Sequence, residues 1–573
     1  MTDKIKKYID EKKYTMFFSL LLIVINCIGI QRRYLPWFTD EFGYWASGAL
    51  LRGYNWNNVM SYSGYYGFGY GIILSLLISI PSIKTRYYCA EIINVILIVF
   101  IYLLLNSIFN IITENKRKKL IAVICVVSML YPYIIVYTHT TQAEIFITFL
   151  YVWSIYLLLQ YYKNKRCKYA MLLLVCSFMM FSVHLRTLVA IISLLLTLAY
   201  IAFSEKNRKI SITIVSIVII LFLVWKIKDI FIQILYKAPS DVMMGLDKEE
   251  VKTIQNSSMS AYLWTISQLT NIKTILLLIR SIEGKVFYCA VSTFGFTIIS
   301  TYNIIKKIVK ADKKMTPFYI YIILSFWGQV VLTSVSMYNI NRFDHLMYGR
   351  YSEAFILPLI VEGIYWGVNN RKSNIYFCLY AIFILSLAIN LYDYVKNIEF
   401  SGCISMQISG ISGYDFFADA DIRYVYTIIV VMIVLLISML LWKANAYNKK
   451  IFLIIIAIVW LFVGENTLKN NLYVGYQTAN QLEDIVDIIE SDKTKVYYLL
   501  TSVESEKMDS AWRNMFYLQY MLMDKIIYPI DEKKIGFIEE GSIVVIEKST
   551  QNYKDYMKYT NVAENDLFVI DKK

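Results

Sequence analysis

The sequence predicts an α-helical polytopic membrane protein of about thirteen transmembrane helices, with interfacial helices on its outer face and a small C-terminal α/β domain. Three observations predict it. Of 573 residues, 58% are hydrophobic and 17% charged, with a mean hydropathy of +0.50, whereas a soluble domain carries about 25% charge. Several stretches approach the roughly 20 apolar residues that a spanning helix needs. The positive residues lie between those stretches, at Lys116–Lys119, Lys163–Lys168, Lys206–Lys209, Lys306–Lys314, Arg371–Lys372, Lys443 and Lys449–Lys450. Short loops rich in Lys and Arg mark the cytoplasmic side. The net charge of +14 is therefore topological, and nucleic acid is not a partner.

Lys4, Lys6, Lys7, Lys12 and Lys13 precede the first apolar run, 14–31, and no small-residue cleavage site follows. That run reads as a retained anchor with its N-terminus inside. Keeping every basic loop cytoplasmic then gives spans at 87–111, 120–137, 145–162, 169–183, 186–203, 209–227, 284–305, 315–335, 352–369, 374–392, 425–442 and 450–464. The C-terminus falls outside, in a multi-pass protein of the plasma membrane. Tyr70–Pro81 is too short to cross, and counting it as a span would put the basic loop 116–119 outside, so it lies on the outer face.

The membrane domain is thus 1–464, with a first outer loop at 32–86 and a long outer loop at 228–283. Residues 465–573 form an extracytoplasmic α/β domain: 478–491 is an amphipathic helix, 495–500 and 542–548 are buried strands, and 508–523 is a helix between them. It holds no catalytic motif, and a packing or acceptor-positioning role suits it. The eight cysteines show no metal spacing and lie mostly in apolar segments, where Cys behaves as a small hydrophobe.

The chemistry-bearing residues gather on the outer face. Asp40 and Glu41 follow the first span in FTDEFGYWASG; as acids in a first turn they suit a helix running to Gly53 that Thr39 or Asp40 would cap. They also stand beside a second interfacial segment under the aromatic stretch YSGYYGFGY, 62–70. Glu144 opens the fourth span, where Thr140 or Thr141 would join it in a cap. His139, His184 and His345 all fall on this face; His139 and His345 are single histidines in different loops, more often hydrogen-bonded structural residues than ligands, which leaves a divalent metal as the minor reading. No cofactor is firmly implied. Glu362 is expected in the middle of the tenth span, where a carboxyl is costly and usually functional or paired.

The order of these motifs resembles the GT-C superfamily of membrane glycosyltransferases, in the branch of protein O-mannosyltransferases and bacterial lipid A aminoarabinose transferases. DEFGYWA is similar to that branch's D-E-x-x-Y-x-x-A, with Asp40, Glu41 and Tyr44 matching and the alanine one place early. IKTRYY with Arg86 resembles its arginine at the start of the second span, and QAEIFITFL with Glu144 its acid before an apolar helix. Arg186 in HLRTL stands where it has a lysine-glycine motif, and GRYSEAFILPL, from Arg350, resembles its arginine-tyrosine before a proline-containing helix. The likeness runs in order over roughly 10–370.

The resemblance implies a GT-C-like fold and a sugar donor carried on a polyprenyl phosphate or diphosphate. A glycosyl phosphate leaves as an anion and needs fixed cations, for which guanidinium is suited. Arg350 is the first choice for the phosphate, with Arg186, Arg86, His345 and Tyr351 behind it. An attacking hydroxyl needs a base, and Asp40 is the expected one, with Glu41 or Glu144 orienting acceptor or base; Tyr44, His139 and Tyr348 line the cavity. Transfer with one base inverts the anomeric centre. The partners implied are the polyprenyl-phosphate-linked sugar, a glycan or glycolipid acceptor of the cell envelope, and membrane lipids. Arg86 and Arg186 as snorkelling anchors, and Arg350 within an aromatic belt, are the structural alternatives. A polysaccharide polymerase or ligase, and a lipid-linked sugar flippase or other transporter, are the competing functions.

Overall fold

The computed structural model describes every residue except 1, 31–34, 37, 62, 237–266, 268–269, 311–314, 339–341, 371–372, 399–403, 415–428, 430–431, 434–445, 473–475, 493, 501–504, 549–553 and 555–558. Apolar helices dominate. The first, α1 (Thr2–Cys27), leads into an outer-loop helix, α2 (Thr39–Leu51), and two short ones, α3 (Asn57–Met60) and α4 (Phe68–Leu74). The segment expected to lie on the outer face is thus a seven-residue helix and turns. The helices α5 (Ile83–Ile112), α6 (Lys118–Ser128), α7 (Pro132–Thr138), α8 (Glu144–Asn164), α9 (Cys167–Val183), α10 (Leu188–Glu205) and α11 (Arg208–Leu235) follow. Beyond them come Ile272–Ser292, Phe296–Val309, Thr316–Ser336, Leu357–Asn369, Ser373–Lys396 and Ala446–Leu472.

Among the described residues seven helices are long and apolar enough to cross a membrane, or eight if the bent pair α6–α7 is one span. The chain is a multi-pass membrane protein. Of the thirteen expected spans, 425–442 lies outside the described residues apart from 429, 432 and 433. Three others depart from a single straight helix. The span expected at 120–137 bends by 60°, because Pro132 favours an extended residue before it and Tyr131 sits at ψ 134°. The span expected at 284–305 is two helices, parted where Phe294 and Gly295 take positive φ of 50° and 82°. The run 352–369 is a turn at Arg350–Glu353 and then a helix from Leu357, with Pro358 in its first turn. The outer loop expected at 228–283 is shorter as well, since α11 continues to Leu235 and the next helix begins at Ile272. Similarly, the helix expected to end at 464 runs on to Leu472.

The tail carries a five-stranded sheet of order β2-β1-β3-β5-β4, from β1 (Val496–Leu500), β2 (Ile527–Asp531), β3 (Ile543–Glu547), β4 (Thr560–Glu564) and β5 (Phe568–Lys572). β1 pairs in parallel with β2 and β3, while β3–β5 and β4–β5 are antiparallel. Two of the strands and both helices, Tyr476–Ser491 and Ser505–Met521, match the expected elements. Alternate residues face opposite sides of a strand: Val496, Tyr498, Ile543, Val545, Phe568 and Ile570 join the main core, and Leu499, Val544, Ile546 and Val569 a second one.

Two close approaches position the outer elements. The backbones of α2 and α4 touch: a Cβ on Gly71 would stand 2.7 Å from Ser47 Cβ and 2.9 Å from Gly48 N. The tail seals α2 from above. Phe42 stacks on Phe516 at 5.2 Å, Trp45 meets Tyr520 edge-on, and Trp56 Nε1 donates to Met523 O at 3.0 Å.

Candidate active site

Asp40 occupies the first turn of α2, and no side chain caps that helix. The backbone N–H of Phe38 donates instead to Glu41 Oε2 at 3.1 Å. Glu41 is fully buried, and its Oε1 accepts from Tyr87 Oη at 3.1 Å, Thr141 N at 2.7 Å and Thr141 Oγ1 at 3.0 Å. This carboxylate ties α2 to α5 and to the turn before α8. The acid pair therefore divides its labour: Glu41 faces the scaffold, and Asp40, 17% exposed, faces out of it.

Arg350 brings the outer elements together. Its Nη2 donates to Asp40 Oδ2, and its Nε donates to Glu144 Oε1 at 2.6 Å. Arg186 Nη2 donates to the same Glu144 oxygen at 2.9 Å. Four charged side chains from four separate segments thus form one cluster of two acids and two guanidinium groups. Glu144 and Arg186 are at most 1% exposed and Arg350 is 6% exposed, and charges taken out of water at that depth persist only when paired. Burial opposes the charge on Arg350, but Asp40 and Glu144 more than offset it and hold the guanidinium ionised.

The pairing is incomplete, and this is the informative feature. Glu144 Oε2, both remaining nitrogens of Arg186 (Nε and Nη1) and the Tyr44 hydroxyl are buried without a hydrogen-bond partner among the described residues. Buried polar atoms are almost always bonded. Several such orphans thus gather at one cluster of charges.

Aromatic rings wall it. The Arg186 guanidinium lies 4.6 Å above the Tyr351 ring, and Arg350 stands 5.8 Å from Tyr137 and 5.9 Å from Tyr351. Tyr348 packs on Tyr351 at 4.8 Å, and Tyr44 packs edge-on against Tyr66 and Tyr70. Burial and the nearby Glu144 push the Tyr44 hydroxyl well above its ordinary pKa, so it stays a proton donor. His184 sits beside Tyr351, and burial and Arg186 hold it neutral. Its Nδ1 accordingly accepts from the Arg186 backbone N–H at 3.1 Å, which fixes the turn carrying that arginine.

Of the residues expected from the sequence, Asp40, Glu144, Arg186, Arg350, Tyr44, Tyr348 and Tyr351 come together. The others stand elsewhere. Arg86 bonds the carbonyls of Ile80, Pro81 and Tyr520, a clasp between α5 and the tail. His139 is 1% exposed, with Nδ1 3.9 Å from Glu91 and its ring against Gly29. The charged groups nearest His345 are Asp344, Arg342 and Lys285. The expected cap of Glu144 with Thr140 or Thr141 does not form; Ala143 precedes α8, and Thr141 Oγ1 takes the Trp45 Nε1 bond at 3.0 Å. Among the described residues no group of three or more His, Cys, Asp or Glu is placed to hold a metal ion.

Sequence reasoning missed Glu353. Fully buried, it accepts from Tyr131 and Tyr288 Oη, each at 2.6 Å, and from Ser409 Oγ at 3.2 Å. It anchors the Arg350 turn one helical turn from the guanidinium; its neighbours come from distant segments, so only its spacing from Arg350 hinted at it. Glu362, which had no evident partner, accepts from Lys307 Nζ and from Asn303 Nδ2 at 2.6 Å.

A many-helix membrane bundle with buried acids and arginines at one end, roofed by a small sheet domain, defines an integral-membrane protein with a charged, aromatic-walled chamber. No family model and no curated protein matches the sequence. Solved structures do: ArnT from Cupriavidus metallidurans bound to undecaprenyl phosphate aligns at 10% identity over 98% of both chains with a TM-score of 0.50, and its apo form at the same identity and coverage with 0.48. ArnT is a lipid A aminoarabinose transferase of the GT-C class, and this chain shares its fold.

Proposed function

We propose that this protein is a GT-C glycosyltransferase that moves a sugar from a polyprenyl-phosphate-linked donor to a glycan or glycolipid acceptor of the cell envelope, on the extracytoplasmic face. The carrying observation is the half-satisfied pair of guanidinium groups: Arg186 and Arg350 share one Glu144 oxygen, and Arg186 keeps two N–H-bearing nitrogens free of any bond among the described residues. A phosphate oxygen is the complement of that arrangement. The fold, shared with a protein solved with undecaprenyl phosphate, supports the same class of donor.

The reaction follows from the cluster. The acceptor hydroxyl attacks the anomeric carbon and gives its proton to Asp40 as the new glycosidic bond forms. The bond from that carbon to the donor phosphate oxygen breaks, and its electron pair leaves on the phosphate, whose charge Arg350 and Arg186 neutralise. In the unliganded cluster Arg350 bonds Asp40. A donor phosphate that competes for the guanidinium leaves the Asp40 oxygen open to the acceptor hydroxyl. One displacement inverts the sugar. Glu144 holds both arginines in place, and Glu41 fixes the start of α2.

The test is Asp40→Asn in proteoliposomes given a labelled polyprenyl-phosphate sugar. Transfer should collapse while donor binding persists; full transfer removes the base assignment. Transport is the weaker reading, because the one carboxyl expected deep in the bundle, Glu362, is paired with Lys307 and Asn303.

A further inference from the structure

The aromatic stretch 62–70 beside the acid pair carries a residue that the transfer step has not used. Tyr66 lies half-buried against α2 with its ring on Gly43, where a Cβ would stand 2.1 Å from Tyr66 Cδ2. Its hydroxyl and Thr39 Oγ1 share a hydrogen bond of 3.1 Å, and Tyr44 meets the ring edge-on at 6.0 Å. The backbone is held as well: Tyr66 N donates at 3.2 Å to the hydroxyl of Tyr236, the residue that ends α11. Burial and the adjacent Asp40 push the Tyr66 hydroxyl well above its ordinary pKa, so it keeps its proton and stays a donor.

Exposure rises in one direction across the cluster. Arg186 and Glu144 are at most 1% exposed, Arg350 is 6% and the Asp40 side chain 17% exposed, Tyr66 is half-buried and Thr39 is exposed. The guanidinium groups are thus the floor, and the Thr39–Tyr66 pair lies on the solvent side of Asp40. In a single displacement the nucleophile and the leaving group occupy opposite faces of the sugar ring. A donor phosphate on Arg350 and Arg186 therefore leaves the acceptor the side of Asp40 that carries Thr39 and Tyr66. There it meets one carboxylate and two hydroxyls, and a hydroxyl both donates and accepts. A lone alcohol engages the carboxylate alone. A sugar diol engages both: one hydroxyl gives its proton to Asp40, and its neighbour bonds the Tyr66–Thr39 pair.

We propose that Tyr66, with Thr39, binds the acceptor and selects a sugar hydroxyl that has a second hydroxyl beside it. The assignment rests on the glycosyltransferase reading and names the chemistry of its acceptor, a carbohydrate diol. Gly43 is the residue that makes room for it, because any side chain at that position would drive the Tyr66 ring off α2.

The test uses the full-length protein in proteoliposomes with a labelled polyprenyl-phosphate sugar and, as acceptor, cell-envelope glycan isolated from cells that lack the protein. Tyr66→Phe removes the hydroxyl and keeps the ring; it should raise the acceptor KM about two- to tenfold and leave the donor KM as in wild type. Gly43→Ala should raise the acceptor KM in the same way, with thermal unfolding in detergent separating a displaced ring from lost folding. Mild periodate, which cleaves vicinal diols, should abolish acceptance by the glycan. A wild-type acceptor KM for Tyr66→Phe, or a donor KM that rises as much as the acceptor KM, overturns the proposal. Undiminished transfer to periodate-treated glycan overturns the diol. A wild-type protein that neither binds the labelled donor nor transfers its sugar sinks the glycosyltransferase reading itself, whereas normal transfer with an unaffected Tyr66→Phe sinks this subsite alone.

Discussion

Asp40 and Arg350 meet across more than three hundred residues of chain, and their separate substitution distinguishes chemistry from support. Asp40→Asn keeps the shape and one hydrogen-bond acceptor but removes the base, so turnover should fall by about 10²- to 10⁴-fold; it also takes one counter-charge from the buried Arg350, so the melting temperature should fall, though less than for Arg350→Ala, which strips a partner from both acids. Arg350→Ala leaves Glu144 with one guanidinium in a dry site. Removing one partner of a buried ion pair costs about 3–5 kcal/mol, so that variant should lose stability as well as activity, as read by thermal unfolding in detergent. Arg350→Lys restores the charge without the fork that reaches two acids at once, and should recover folding ahead of transfer. Glu353→Gln keeps the volume but unbalances the Tyr131, Tyr288 and Ser409 bonds. A destabilisation of about 1–3 kcal/mol is expected, with a rise in donor KM because the Arg350 turn loosens.

At the scale of elements, the chamber depends on close packing between segments that carry no catalytic group. A Cβ on Gly349 would stand 2.0 Å from Tyr288 Cε1, so Gly349→Ala must push Tyr288 off Glu353 or shift the Arg350 turn. Overpacking of this kind costs about 1–3 kcal/mol; thermal unfolding and transfer assays should both register it. The tail acts on the site through α2. Trp56→Ala removes a 1%-exposed indole and its bond to Met523 O, a loss of about 3–5 kcal/mol by core truncation. Limited proteolysis should then cut the tail first, which would show that the sheet domain holds its place by this contact.

For the whole molecule the decisive property is sidedness. The basic loops predict that α2 faces outward and the α5–α6 loop inward. In a cysteine-free background, an impermeant maleimide should label Asn55→Cys in intact cells and Lys116→Cys only after lysis, both positions being exposed. The reverse pattern would place the cluster on the cytosolic face and sink the extracytoplasmic assignment.

The sequence by itself determined that the chain lives in a membrane, roughly where most of its apolar runs lie, and that α2 starts at the acid pair. These are local properties: apolar length, charge between runs and first-turn acids need no neighbours to be read. It also pointed to Asp40, Glu144, Arg186 and Arg350, through motif order. Only the tertiary structure decided that Glu41 serves the scaffold and Asp40 the chamber, that Arg86 clasps the tail, and that Glu353 and Lys307 complete networks whose partners are distant in the chain. It also broke the runs at 120–137 and 284–305, where a proline and a left-handed pair interrupt stretches that are apolar throughout. The physical reason is common to all of these: hydropathy reports the solvent around a segment, whereas the role of a buried charge is set by which opposite charge, and how many donors, the fold brings within about 3 Å of it.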